Sequence, residues 1–373
     1  DADYTIDETT VDNGATLLVD AGFVLTINNG TGTDITINGT LQVDGEFVLQ
    51  HNATHAGTSA TNVSFTAGSI YRHQYTTAQG SIPLATWDPD SEVSIEGYTS
   101  AFTANAAGNW SQDFGNVTWN CNSQTGIATL AGLFTSVNNL EVLSTGNSVL
   151  RFSVAQNPTI TISGNLTVSG TSRIEFSTTG TGTIVNIGGN FIFNSTNAVG
   201  ARSYLTTTGS CVMNIAGNFS MNAPGGEFRF SSSGANGVGT FNIGGDFDLI
   251  AGTLTERGSG TANGNIVFVG TDVTHLFSNA GLISNTINYL IPVDNTVIIQ
   301  GESQFRGNAG SSLTVNGTLV VQSENATGAI VTGAGNGLGN IRVTNRIYNP
   351  GATIIYGGTG QQFIGNGQPN VAG

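Results

Sequence analysis

One short pattern repeats through the middle of the chain: an alternating apolar pair, a glycine corner and a second alternating apolar pair. It reads NIGGNFIF from Asn186, NIAGNFSM from Asn214 and NIGGDFDL from Asn242, with TISGNLTV from Thr161 before them. Alternation with a period of two is typical of strands that bury one face. Because such a unit buries its apolar side chains only when neighbouring copies stack, the sequence predicts a solenoid.

The spacing of the repeat sets the size of one coil. The residue after the glycine is Asn165, Asn190, Asn218 or Asp246, so one coil takes about 25–28 residues. The segments RIEFS and EFRFS indicate a third strand in some units. Three strands in a unit of this length, without helical periodicity, predict an all-β fold. We expect a right-handed parallel β-helix (a β-solenoid) with almost no helix.

Like residues are expected to stack on like from one coil to the next. Phe191, Phe219 and Phe247 should therefore form one column inside the solenoid. We attribute the corner glycines to a bend with positive φ, which glycine adopts without steric strain. On this alignment Cys121 and Cys211 lie three to four coils apart, about 15–19 Å, so both are expected to be free thiols.

Charge excludes two classes of partner. The chain has 24 acidic residues, and its nine basic residues are all arginines, which gives a net charge of −15. Nucleic acids and anionic membrane surfaces both need basic patches, so neither is an expected partner. The sequence contains no run of about 18 apolar residues, so no membrane insertion is expected.

Residues 66–126 depart from the repeat and contain all three tryptophans, with several tyrosines and a histidine. Two interpretations are open. In the first, which we favour, the rings fill a widened part of the solenoid. In the second, they form a surface on which sugars stack, and the candidate ligand-binding residues are Tyr71, His73, Tyr75, Trp87 and Trp110.

Two motifs in this segment carry a resemblance to a known group of proteins. IPLATWDPDSEVSIEGYTS begins at Ile82, and QDFGNVTWNCNSQTG begins at Gln112. Together they resemble a module of large secreted surface proteins of Bacteroidota, adhesin-like substrates of the type IX secretion system. The NIGGNF coils resemble repeats of the same proteins. The resemblance implies export by the type IX machinery and a secreted, extracellular location at the cell surface of a Gram-negative bacterium.

We predict a single solenoid over residues 1–373. Residues 1–65 would form N-terminal coils or a cap, 66–126 the aromatic variant segment, and 127–373 regular coils that continue into further chain. The start, DADYTIDETT, is expected to be that of a mature exported chain or of an excised piece. The end, GQPNVAG, carries no type IX sorting domain. Cleavage after export, or a longer protein, is therefore expected.

Catalytic and metal sites have few candidates. Glycoside hydrolysis needs two carboxylates in one cleft, and the sequence offers either the DPDSE turn or Asp246 with Asp248. Asp246 occupies a corner position, which favours a role in the turn. The DPDSE turn also presents Asp88, Asp90 and Glu92 as calcium ligands, but it lacks the glycine and the last glutamate of an EF-hand loop. We predict no catalytic residues, cofactor or metal, with calcium at this turn as the alternative.

Two functions follow as hypotheses. The first is an exported structural or adhesive protein of the cell surface, an adhesin, stalk or filament component without enzymatic activity. Its expected partners are glycans, other surface proteins or its own copies through end-to-end self-association. The alternative is a polysaccharide-binding or polysaccharide-degrading β-helix protein that uses residues 66–126.

Overall fold

The structure is a computed structural model that describes residues 2–196, 202–232, 236–258, 263–334 and 337–368. The chain is all-β, with 46% of it in strands. The described residues contain no α-helix and one short 3₁₀ helix, Ala106–Gly108. Asp1 and residues 369–373, which belong to the predicted ends, lie outside the described residues.

Parallel sheets stack as a β-solenoid, which confirms the predicted fold class. The chain divides into two compact units, Asp1–Glu175 and Phe176–Gly373, whose turns together number about 12. Strand β22 (Ile174–Ser177) lies at the division.

The strands of the first unit are β1 (Tyr4–Ile6), β2 (Thr9–Val11), β3 (Thr16–Val19), β4 (Val24–Ile27), β5 (Ile35–Ile37), β6 (Thr40–Val43), β7 (Glu46–Gln50), β8 (His55–Ala56), β9 (Val63–Phe65), β10 (Ile70–Gln74), β11 (Thr86–Trp87), β12 (Glu92–Glu96), β13 (Phe102–Thr103), β14 (Asp113–Phe114), β15 (Asn116–Asn120), β16 (Ala128–Thr129), β17 (Ser136–Val137), β18 (Leu140–Ser144), β19 (Leu150–Arg151), β20 (Thr159–Ile162) and β21 (Leu166–Val168).

The strands of the second unit are β23 (Thr183–Ile187), β24 (Phe191–Phe193), β25 (Arg202–Thr206), β26 (Ser210–Ile215), β27 (Phe219–Arg229), β28 (Val238–Ile243), β29 (Phe247–Thr255), β30 (Asn263–Phe268), β31 (Thr274–Asn279), β32 (Leu282–Ser284), β33 (Ile287–Ile291), β34 (Thr296–Ile299), β35 (Phe305–Arg306), β36 (Ser312–Val315), β37 (Thr318–Val321), β38 (Ile341–Arg342), β39 (Asn345–Tyr348) and β40 (Thr353–Tyr356).

In the first unit, strands pair in parallel with strands one turn later. One interior column runs from Tyr4 through Leu25, Phe47 and Tyr71 to Val93, each residue being the register partner of the next. All members after Tyr4 are buried. Each turn along this column takes fewer residues than the predicted coil, because the segments between strands are shorter here while the strands keep their register.

The second unit contains the predicted phenylalanine column. Phe191, Phe219, Phe247 and Phe277 are register partners from turn to turn. Their ring centroids lie 5.5, 5.1 and 4.7 Å apart in that order. All four side chains are buried. The column is confirmed, and it places the core of the unit between its parallel sheets.

The prediction that the corner glycines adopt positive φ is wrong at two corners. Gly217 and Gly245 are not among the residues with positive φ. A Cβ at Gly217 would lie 2.5 Å from Asn190 Oδ1, and one at Gly245 would lie 2.2 Å from Asn218 Oδ1. These two oxygens accept the backbone N–H groups of Asn218 and Asp246, each at 2.8 Å. Glycine is therefore required by the close approach of an asparagine from the preceding turn, not by the bend.

Cys121 and Cys211 are free and buried, as predicted. Burial raises the pKa of the Cys121 thiol to about 12, and burial also raises the pKa of the Cys211 thiol. Since the thiolate is the reactive form, we expect neither cysteine to react with Ellman's reagent in the native protein at about pH 8. Two thiols per chain should react after unfolding in guanidinium chloride. Rapid reaction of either native thiol would contradict the burial.

Candidate functional site

The five predicted ligand-binding residues lie inside the first unit. Tyr71 and His73 belong to β10, Trp87 ends β11, and Tyr75 and Trp110 lie in connecting segments. None is more than 8% exposed. A sugar that stacks on a ring needs an accessible ring face, and these rings instead fill the interior, as in the first interpretation. Glycan contact at these residues stays a prediction, and it requires the solenoid to open locally.

The rings pack against one another across successive turns. Trp87 stacks on Phe65 with ring centroids 4.2 Å apart and an angle of 8° between the planes. His73 stacks on Tyr75 at 4.5 Å and 18°. Trp110 contacts the edge of His73 at 6.1 Å. Aromatic pairs at these separations stabilise a core beyond the area they bury, which explains why the rings concentrate in one segment.

His73 is the centre of a buried hydrogen-bond network. Its Nδ1 lies 2.7 Å from the Tyr71 hydroxyl, and its Nε2 lies 2.9 Å from both the Gln79 carbonyl oxygen and the Tyr98 hydroxyl. The carbonyl can only accept, so we assign the proton to Nε2 and let Nδ1 accept from Tyr71. Both nitrogens of the neutral ring are thereby satisfied.

The pKa of His73 is lowered to about 4, mainly by burial; the hydrogen bond to the Gln79 carbonyl opposes this shift, and the nearby His55 adds to it. The ring is fully buried. Because its nitrogens are engaged by internal partners and solvent does not reach it, His73 stabilises the interior and is not placed to act as a catalytic base.

The DPDSE turn is built around its own backbone. Asp88 Oδ1 accepts the backbone N–H of Asp90 at 2.9 Å, and Ser91 Oγ donates to the Asp88 carbonyl at 2.7 Å. Glu92 begins β12. Across the part of the chain that the structure describes, no group of three or more His, Cys, Asp or Glu side chains is placed to hold a metal ion. Calcium at this turn stays a prediction.

The second carboxylate pair is tied to the neighbouring turn. Asp246 Oδ1 accepts the backbone N–H of Leu276 at 2.8 Å. Asp248 Oδ1 accepts the hydroxyl of Ser278. The corner role proposed for Asp246 is confirmed, since its carboxylate replaces the asparagine oxygen that forms the same bond in earlier turns.

The first turn is open at one side. Tyr4 is 60% exposed, whereas its register partner Leu25 is 5% exposed. An apolar cavity of about 520 Å³ lies beside Tyr4, and Ile6, Leu17 and Phe23 are among its other lining residues. We call this cavity the mouth. Within the described residues, the column is therefore exposed to solvent at Tyr4. The apolar residues near the start of the chain are the sequence signal for this cavity.

The strand edges at the mouth are also unpaired. Among the described strands, β1 pairs only with β4, β2 only with β5, and β3 only with β6. Each of the three therefore leaves one row of backbone N–H and C=O groups without a strand partner.

The last turn of the second unit has free edges of the same kind. Among the described strands, β39 pairs only with β36, and β40 only with β37. Ile354 and Tyr356 follow the buried Leu319 and Val321 in the interior columns, yet they are only half-buried.

The chain matches no known protein family, no curated protein and no solved structure. None of the described helical segments has the length and apolar character needed to cross a membrane.

The first turn of the first unit and the last turn of the second unit differ in charge. Exposed carboxylates surround the first turn: Asp3, Asp7, Glu8, Asp12 and Asp20. No basic residue occurs before His51. The last turn contains Arg342 and Arg346, but it also contacts Glu324, whose Oε1 accepts a hydrogen bond from the Thr359 hydroxyl at 3.1 Å. Arg346 lies over Leu313 in an interior column, with its Nη1 donating to the Val331 carbonyl at 2.7 Å. The first turn is therefore acidic, whereas the last turn carries two arginines and charges of both signs.

Proposed function

We propose that this chain is an exported structural protein of the cell surface, a stalk or filament component whose copies join end to end. The open first turn carries the proposal. Tyr4 heads a buried column and is itself 60% exposed, beside three strands with an unpaired edge. An apolar mouth bordered by free strand edges favours association with a matching surface.

Strand direction makes the two ends complementary. Strand pairing is parallel at the first turn and at the last. The first turn of one copy, placed on the last turn of another, would therefore continue the same parallel ladders. It would also bring the mouth at Tyr4 over the half-buried Ile354 and Tyr356. A head-to-tail contact of this kind produces a filament when the rotation between copies does not close a ring.

Charge selects the head-to-tail arrangement over a symmetric one. Two acidic first turns repel each other, whereas an acidic first turn attracts the end that carries Arg342 and Arg346. The export part of the proposal is supported by the resemblance of Ile82–Cys121 to type IX secretion substrates. Adhesion to glycans is a weaker hypothesis, because the rings that suggested it are buried.

Self-association is testable by sedimentation velocity with one variant at each end. Tyr4→Asp and Ile354→Asp should each weaken association more than about a hundredfold, since each leaves an unpaired charge in an apolar contact. Thr5→Asp and Ile355→Asp are matched controls in terminal strands, because both side chains are exposed and lie outside the interior columns. We expect these two variants to associate as the wild type does.

Mixing the two defective variants distinguishes head-to-tail association from symmetric association. Tyr4→Asp keeps a working last turn, and Ile354→Asp keeps a working first turn. The mixture should therefore form dimers and nothing larger, while each variant alone stays monomeric. Dimers of Ile354→Asp alone would show that two first turns associate symmetrically. A wild-type protein that stays monomeric up to about 100 µM would overturn the proposal.

A further inference from the structure

Three arginines surround one glutamate on the outer surface of the second unit. Glu227 and Arg229 lie on β27, Arg202 begins β25, and Arg257 follows β29. Arg229 donates to both Glu227 oxygens, from Nε at 2.9 Å and from Nη2 at 3.2 Å. Arg257 Nε donates to Oε1 at 3.0 Å, and Arg202 Nε lies 3.6 Å from Oε2. We name these four residues the arginine cluster.

The arginine cluster has more positive than negative charge. It contains three of the nine basic residues of a chain whose net charge is −15. Glu256, the residue before Arg257, accepts a hydrogen bond from Ser231 Oγ at 2.8 Å and takes no part in the three ion pairs of the cluster. One carboxylate is thus shared by three guanidinium groups.

The ion pairs of Arg72, in the first unit, have the opposite balance of charge. Arg72 lies between two carboxylates, with Nε 2.7 Å from Glu46 and Nη1 2.6 Å from Glu96. Arg151 pairs with Glu175 at 2.7 Å. In the arginine cluster, by contrast, three guanidinium groups share a single carboxylate.

Donors of the cluster are unused even where water is excluded. The Arg229 side chain is 2% exposed, and its Nη1 is buried without a hydrogen-bond partner. Arg202 Nε is likewise buried and unpartnered, because 3.6 Å is too long for a hydrogen bond. Leaving a charged donor buried and unpaired is unfavourable, so these N–H groups favour an additional acceptor.

Solvent reaches the cluster through its other members. The side chains of Arg202 and Arg257 are 39% and 46% exposed. Burial opposes ionisation of Glu227, but the hydrogen bond and charge of Arg229, together with Arg257, hold the pKa of that carboxyl below its ordinary value. Glu227 is therefore ionised at neutral pH, and the excess of positive charge remains.

We propose that the arginine cluster is a binding site for a single oxyanion, a carboxylate or a sulfate group, carried by an otherwise neutral sugar. Guanidinium groups match planar carboxylates and sulfate esters through paired N–H donors. The rest of the chain is acidic and repels a long polyanion, which selects a ligand with an isolated charge. The Arg229 guanidinium carbon lies over the Tyr204 ring, 5.6 Å from its centroid, and this contact helps to hold Arg229 beside the other two arginines.

Calorimetric titration tests the site with glucuronate, inorganic sulfate and uncharged glucose. We expect the wild type to bind glucuronate or sulfate in about the millimolar range, and glucose not to bind. The double variant Arg202→Ala/Arg257→Ala should lose at least about tenfold in affinity. Arg257→Ala alone, at the most exposed of the three arginines, should lose less. Arg72→Ala is the matched control, because it removes an arginine that two carboxylates already neutralise.

The ligand series distinguishes the sources of the oxyanion. Tighter binding of glucuronate than of sulfate assigns the site to a sugar acid, and the reverse order assigns it to a sulfate group. Both should weaken as the salt concentration rises, since exposed charges are screened. Three results would overturn the proposal: no saturable binding of either anion, unchanged affinity in the double variant, or an equal loss in Arg72→Ala. None of them bears on end-to-end association, which the sedimentation variants test separately.

Discussion

Replacing Phe219 by alanine is expected to lower the free energy of unfolding of the second unit by about 3–5 kcal/mol. The side chain is fully buried, with ring centroids 5.5 Å from Phe191, 5.1 Å from Phe247 and 5.2 Å from Phe241. Alanine would leave a cavity that these neighbours fill only in part, since their strands are held in register by the ladders. In a repeat fold each turn is stabilised mainly by its neighbours, so the loss affects the turns on both sides.

Urea unfolding followed by far-ultraviolet circular dichroism measures this loss. Tryptophan fluorescence is unsuitable, because all three tryptophans belong to the first unit. Ser220→Ala is the matched control: it is the next residue of β27 and only half-buried, so its effect should stay within about 0.5 kcal/mol. A loss below about 1 kcal/mol for Phe219→Ala would show that the phenylalanine column does not support the unit.

Acidification is expected to destabilise the first unit through His73. The pKa of this buried imidazole is about 4 in the folded protein, against an ordinary value of 6.5. Between these two values the unfolded chain takes up a proton that the folded one does not, so stability falls as the pH falls. The stability that the neutral His73 ring contributes is fully present above pH 6.5. About 3 kcal/mol of the free energy of unfolding is lost by about pH 4. At still lower pH both states are protonated, and His73 adds no further change.

Comparison with His73→Gln isolates this contribution from other titrating groups. Glutamine does not titrate, so the variant should be less stable than the wild type at neutral pH and lose less on acidification. The difference in unfolding free energy between the two proteins should shrink steadily from pH 6.5 to about 4. Equal pH dependence of the two proteins would show that His73 is accessible to protons in the folded state.

The stacking of one turn on the next was predictable, because it follows from a short sequence pattern that recurs in each turn. The alternating apolar pairs around each corner were enough to place Phe191, Phe219 and Phe247 in one column. The reason for the corner glycines was not predictable, because it depends on a contact between turns. At Gly217 the decisive neighbour is Asn190 Oδ1, 2.5 Å from where a Cβ would stand, and sequence alone shows only that glycine recurs.

Candidate sites were harder to predict, because they depend on which residues meet across segments of unequal length. Arg202, Arg229 and Arg257 look like isolated residues in the sequence, and only the register of β25, β27 and β29 brings them around Glu227. The aromatic segment left two interpretations open, of which the favoured one places the rings in the interior. Its composition suggests either a core or a surface, and only burial distinguishes the two.

Turn length and strand register are independent in this molecule. Tyr4 and Leu25 are register partners, and so are Val321 and Tyr356, although the second pair is much further apart along the chain. Extra residues therefore accumulate in the connecting segments, while the ladders keep their alignment. Insertions at those positions can diversify the exterior without repacking the interior, so the protein is suited to carrying grafted foreign peptides.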